Sequence, residues 1–167
     1  MKKSKGVTVR AERLLLRPMC CEEWTKVVEA VFEQDECMFQ FGCEKNDALR
    51  EATAEPNFEE VIYYSICRED DLIGYVGLSP MDKNIEFYVF EEYRRQGYAC
   101  EAVGAFVKAC EAGEITGKAV DKFYAQVISD NAACIELMKK LGFRECGCGF
   151  SITKGWGFVE FEYGEGE

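Results

Sequence analysis

The apolar pattern of this chain changes period abruptly between residues 85 and 110. Ile85 to Phe90 reads as a strand, whereas Ala99, Ala102, Val103, Phe106, Val107 and Cys110 form a stripe at helical spacing, with Gly113 following as a stop. Only the short stretch Glu91 to Tyr98 joins them. A strand that passes through a tight turn into a helix aims free backbone N–H groups, and the positive end of the helix dipole, into that turn. Such a geometry binds phosphate. It also requires the helix to pack back onto the sheet that holds the strand.

The flanking segments supply that sheet. Val7 to Arg17 reads as an opening strand, its run Leu14-Leu15-Leu16 stopped at Pro18. Cys21 to Phe32 is an amphipathic helix, with Trp24, Val27, Val28 and Val31 on one stripe and Glu22 and Glu23 in its first turn, where the dipole favours acids. Asn46-Asp47 can cap a short helix through Ala54, ended by Pro56. Val61 to Cys67, Leu72 to Leu78 and Ile85 to Phe90 form an antiparallel meander. Lys122 to Ile128 is a further strand, and Cys134, Leu137, Met138 and Leu141 mark a helix stopped by Gly142. Strands near Phe143 to Phe150 and Trp156 to Tyr163 close the chain, and the tail Gly164 to Glu167 should fray. The expected architecture is α+β: a mixed, mostly antiparallel sheet of about seven strands, helices on both faces, and a single domain over 1–167.

Composition excludes several function classes. The net charge is −11, so a phosphate backbone meets repulsion and a nucleic-acid binder is not expected. No apolar stretch approaches the ~18 residues of a membrane span. The chain has no histidine, which removes every histidine base and every histidine-containing metal site. None of the ten cysteines is separated from another by two residues, so no paired zinc or thioredoxin-like spacing occurs and no metal is expected. Reduced, mostly buried thiols in a cytoplasm fit better than disulfides.

The turn itself reads R-x-x-G-x-A, with Arg94, Gly97 and Ala99 at its defining positions. Arg94 and Arg95 bring positive charge into an otherwise acidic chain. Taken alone, the hexapeptide is also compatible with a solvated loop carrying two surface arginines. It contains neither the Walker G-x-x-x-x-G-K-[ST] nor the dinucleotide G-x-G-x-x-G. About thirty residues later come Ser129-Asp130-Asn131-Ala132-Ala133-Cys134 and Lys140-Leu141-Gly142-Phe143, and near the N-terminus stands Glu12-Arg13-Leu14-Leu15-Leu16-Arg17-Pro18. Together these motifs resemble the GNAT superfamily of acyl-CoA-dependent N-acetyltransferases. Within it they look most like the Rim-type enzymes that acetylate ribosomal-protein N-termini. The resemblance is strongest over 84–146 and weakest over 35–60.

The resemblance implies roles for particular residues. Backbone of Phe87, Tyr88 and Val89 would pair with the pantetheine arm of acetyl-CoA. The turn, from Arg94 and Arg95 through Gln96, Gly97, Tyr98 and Ala99 to Cys100, would cradle its pyrophosphate on main-chain amides. Asn131 would contact the cofactor arm, although an asparagine there can equally be a helix cap. Glu86 is the candidate base, with a salt-bridged or merely structural carboxylate as the plainer reading. The main-chain N–H of Val89 would hold the oxyanion. Many relatives carry a tyrosine as general acid where this chain has Met138, which cannot donate a proton; Tyr98 and Tyr124 are the nearby phenols. Cys134 reads as packing.

An amine attacks a thioester only when neutral. Near pH 7 roughly one α-amine in seven is neutral, against about one lysine amine in 2,500. A proton acceptor is therefore required, and here it must be a carboxylate, a water chain or the substrate's own equilibrium. The expected function is transfer of acetyl from acetyl-CoA to a primary amine within a ternary complex. The acceptor would be a basic protein N-terminus, a polyamine or another small cationic amine. The alternative is a non-catalytic acyl-CoA-binding module of the same fold. A monomer and a homodimer are equally compatible with the sequence.

Overall fold

The structure, a computed structural model, describes residues 4–34, 56, 58–153 and 155–165. The expected helix from Asn46 to Ala54, together with Cys37 and Cys43, lies outside the described residues. Among the described residues, eight strands form two antiparallel sheets. The first has five strands in the order β1 (Val9–Arg10), β2 (Leu15–Pro18), β3 (Ile62–Arg68), β4 (Asp71–Leu78) and β5 (Ile85–Val89). The second has three, with β8 (Trp156–Gly164) between β6 (Lys122–Ile128) and β7 (Arg144–Ser151).

The opening segment is a hairpin and not one strand. Ala11 N–H bonds Leu14 O at 2.9 Å, folding β1 back onto β2. This turn adds the eighth strand. β2 ends at Pro18, as expected, and Pro18 is its last paired residue, opposite Tyr64. The shorter β1 reaches only Leu16, so the far side of Pro18 has no strand to bond and its missing N–H costs nothing.

The two sheets touch at one parallel bridge, Asn84 with Tyr124, where Tyr124 N–H donates to Lys83 O at 2.9 Å. Beyond it β5 and β6 share no further pairing. The gap so opened is the structural consequence of the mixed sheet.

Helices cover both faces. On one, α1 (Cys21–Gln34) buries Val27 and Val31 against Met19, Tyr88 and Phe90. On the other, α2 (Tyr98–Glu111) buries Ala102, Val103, Phe106 and Val107 against Tyr64, Ile66, Val76 and Val89. Met138 of α3 (Ala132–Lys140) joins this second core with Phe123, Phe143 and Phe161. Both α2 and α3 end as expected. Gly142 N–H bonds Lys139 O and Phe143 N–H bonds Met138 O, which satisfies the orphan carbonyls, and Gly113 and Glu114 close α2 in the same way. Among the described residues no helix is long and apolar enough to cross a membrane.

The start of α1 is tied to the sheet through Glu23. Its carboxylate pairs with the Arg17 guanidinium, accepts from Ser65 Oγ at 2.8 Å, and accepts from Cys20 N–H at 3.3 Å as half a capping box. Burial alone pushes this carboxyl upward, but the bonds from Arg17, Ser65 and Cys20 outweigh it and hold its pKa below the ordinary value. A depressed folded pKa contributes stability above the unfolded pKa, and that contribution is lost as pH falls through the folded one. Glu23→Gln should therefore cost roughly 2 kcal/mol at neutral pH, less than a fully buried pair, because 40% of the Arg17 side chain stays exposed. Urea denaturation should find parent and variant converging in stability as pH falls below the ordinary carboxylate range. A gap that stays constant with pH would mean that the ionised carboxylate is not the stabilising species.

Candidate active site

The open side of β5 faces the gap. Phe90 N–H donates to Ile73 O at 2.9 Å and Ser79 N–H to Asn84 O at 3.0 Å. Bonded pairs recur at every second residue of an antiparallel ladder, so Glu86 and Tyr88 turn their peptide groups to β4. Phe87 and Val89 turn theirs into the gap. Tyr88 thus departs from its expected role: its main chain is committed to Tyr75, and its hydroxyl lies 3.3 Å from Gln34 Oε1 of α1. Of the three expected arm-binding residues, only Phe87 and Val89 can offer backbone. From the other side, Gln126 and Ile128 of β6 face the gap by the same parity, set by the bonds of Tyr124 and Ser129.

The strand runs through a 3-10 turn, Glu91–Tyr93, into the expected R-x-x-G-x-A segment. Arg95 and Gly97 both take positive φ, +62° and +79°, and Gly97 caps α2 in the left-handed conformation. None of the amides from Arg95 to Cys100 donates a hydrogen bond to another described residue; the first helical bond is Glu101 N–H to Gly97 O. A run of undonated amides at a helix start, with only the tip of Arg13 near the position of a Gly97 side chain, is an anion cradle open to a ligand.

The arginines divide their work differently from expectation. Arg94 doubles back: its Nε donates to Val89 O at 2.9 Å, and its guanidinium lies 5.0 Å over the Tyr88 ring. It braces β5, occupying the Val89 carbonyl while the Val89 N–H still faces the gap. Arg95 is exposed on the turn. The cation that shapes the turn is Arg13, whose role the sequence reading missed. It donates to Gln96 O at 2.9 Å, pairs with Glu101 at 2.8 Å and stacks 4.6 Å over Tyr98. Arg68 lies 5.8 Å from the same ring, and Tyr98 is buried at the start of α2. Cys100 and Ala99 are partly buried in the first turn of α2.

Glu86 is exposed on the same face of the sheet as α1, beside Tyr63 and Tyr75. Asn131 caps α3, its Oδ1 accepting from Cys134 N–H at 3.1 Å. That cap occupies the oxygen and leaves the amide nitrogen to reach elsewhere. Cys134 packs against the larger core, and burial pushes its thiol up to about 11, so it stays protonated at neutral pH. Met138 is wholly buried. Tyr124 sits where the two sheets touch, with Lys122 Nζ 5.5 Å over its ring.

Comparison with known proteins agrees with this geometry. The family model described as an acetyltransferase (GNAT) domain matches residues 13–144. No curated protein matches the chain in sequence. Among solved structures, the chain is similar to the GNAT-family acetyltransferase from Bacillus anthracis, at 19% identity over 95% of this chain and 98% of that one, with a TM-score of 0.71. It is similar to Mycobacterium smegmatis RimJ in complex with CoA-disulfide, at 15% identity over 98% and 90%, with a TM-score of 0.73. It also resembles a chimera of the spermidine N-acetyltransferase SpeG from Vibrio cholerae and hSSAT, at 15% identity over 92% and 96%, with a TM-score of 0.71. At these identities the likeness to each structure is one of fold.

Proposed function

The chain belongs to the GNAT acetyltransferase family, and on that premise we propose how its own residues hold acetyl-CoA and pass an acetyl group to a primary amine. The observation that carries the reading is a continuous one. Two open strand edges diverge from a single bridge and lead to a run of undonated amides at the start of α2. A long, thin ligand with an amide-bearing arm and a pyrophosphate suits that path. Phe87 would bond the arm, and the N–H of Val89 is left for the acyl oxygen because Arg94 holds its carbonyl. The amides of Arg95 to Cys100 would hold the phosphates, and Asn131 Nδ2 would reach the arm from α3.

Bound acetyl-CoA supplies an activated acyl carbon and a sulfur leaving group. Glu86 takes a proton from the acceptor ammonium, which frees the nitrogen lone pair to form the new C–N bond as the C–S bond breaks. Val89 N–H donates to the acyl oxygen as negative charge builds there. Water protonates the departing sulfur, because the buried Met138 has no proton to give and a thiol pKa of about 8.5 makes thiolate a tolerable leaving group. A protonated Cys134 takes no acyl group, so transfer is direct.

The acceptor is a cationic amine, in keeping with the net charge of −11. The SpeG chimera is named as a spermidine N-acetyltransferase, and a polyamine fits an acidic surface, as does the N-terminus of a basic protein. The cofactor assignment is tested by melting. Acetyl-CoA at about 100 times its Kd should add roughly 2.7 kcal/mol, with ATP and NAD well below it at the same concentration. A melting curve that acetyl-CoA leaves unmoved would overturn the cofactor assignment.

A further inference from the structure

We infer that Tyr63 is a positioning residue for Glu86, its hydroxyl reaching the carboxylate across a gap that Gly77 leaves in the strand between them. The inference rests on the reading of Glu86 as the base. Strand register puts Tyr63 of β3 opposite Gly77 of β4, and Gly77 opposite Glu86 of β5. The three form one row across the sheet, on the face beneath α1. Neighbouring strands lie about 4.8 Å apart, so Tyr63 and Glu86 are separated by roughly twice that at the backbone. A phenol can span the distance only by lying down over the middle strand.

Gly77 permits this. A Cβ at Gly77 would stand 3.0 Å from Tyr63 Cδ1 and 3.2 Å from Cε1, inside ordinary carbon–carbon contact. The ring therefore occupies the space that a side chain would take. It is held there from above by Trp24 of α1, with ring centroids 4.7 Å apart, and flanked by Tyr75 at 6.0 Å and Phe58 at 6.3 Å. Burial, then the charge of Glu86 and a side-chain hydrogen bond with it, holds the Tyr63 phenol well above its ordinary pKa, so it remains a donor throughout the working range.

Among the described residues, Tyr75 of β4 and Tyr88 of β5 share this face of the sheet with Glu86. Tyr75 of β4 is held well above its ordinary value by burial and by the Glu86 charge, and the Tyr88 hydroxyl of β5 is directed to Gln34. The Glu23 carboxylate of α1 is bound to Arg17 of β2 and Ser65 of β3. Tyr63 thus fixes the direction of the carboxylate and favours its ionised form, the form that accepts a proton.

The test compares pH–rate profiles and acetyl-CoA affinity for the parent, Tyr63→Phe, Gly77→Ala and Glu86→Gln. Tyr63→Phe should bind acetyl-CoA with parent affinity and lose about tenfold in kcat near pH 7. Its acid limb should move up by roughly one pH unit, because the carboxylate has lost a donor. Gly77→Ala keeps the hydroxyl but pushes the ring aside, and its acid limb should move in the same direction. Acid limbs unmoved in both variants, beside a large loss in Glu86→Gln, would overturn the positioning role and leave the base in place. Full activity in Glu86→Gln would remove the base, and the positioning role with it.

Discussion

Gly97→Asp is expected to abolish acetyl-CoA binding in a chain that still folds. Gly97 caps α2 at φ +79°, a conformation that costs a side-chain-bearing residue roughly 1 kcal/mol and that aspartate tolerates better than most. A Cβ built there meets only the tip of the flexible Arg13 side chain, at 3.3 Å. The fold therefore has little to lose. The ligand has much to lose, because the new carboxylate would stand over the amides that should receive the pyrophosphate, and like charges in that cradle repel. Gly97→Asn, of the same shape but neutral, separates charge from strain and should keep a substantial part of the affinity. Calorimetric titration beside circular dichroism reads both effects. A folded Gly97→Asp with parent affinity would show that the phosphates bind elsewhere.

Glu86→Gln should lower the rate at neutral pH by about 10²-fold or more, while acetyl-CoA affinity changes little. Glutamine keeps the shape and can still meet the Tyr63 hydroxyl, but it accepts no proton. The loss should shrink as pH rises and the acceptor reaches its neutral form unaided. A loss of constant size across the pH range would assign Glu86 to acceptor binding instead. Equal rates near pH 7 would return it to a structural role.

The parts of the fold legible in the sequence are those specified by neighbours along the chain. The stripe from Ala99 to Cys110, the apolar face of α1 and the glycines after α2 and α3 each carry a local pattern, and each forms as expected. The Val9 to Pro18 hairpin carries no such signal, because Glu12-Arg13 is not a sequence that marks a tight turn. The split of the sheet is set by where β5 and β6 part, a matter of pairing between distant segments.

The site divides in the same way. The turn from Arg94 to Cys100 and the strand before it are contiguous, so their geometry could be anticipated. Arg13 stood in a quoted motif, but its contact with Gln96 spans 83 positions and nothing local announces it. That Tyr88 faces β4 while Phe87 and Val89 face the gap is a fact of register, which a one-residue shift would invert. Tyr63 and Gly77 are unremarkable in sequence and acquire meaning only when three strands lie side by side.

In the proposed reaction this chain moves an acetyl group from acetyl-CoA to a cationic amine without an acyl-enzyme. Release of the CoA thiol, followed over a panel of peptide N-termini, polyamines and neutral-bodied monoamines, tests it most directly. Intact-protein mass is measured in parallel with acetyl-CoA alone. The account predicts amine-dependent CoA release for at least one cationic acceptor, and an unchanged protein mass in the acceptor's absence. Tight acetyl-CoA binding with no release across the panel would contradict it in favour of a binding module. A single acetyl adduct on Cys134, discharged by the amine, would contradict the direct mechanism.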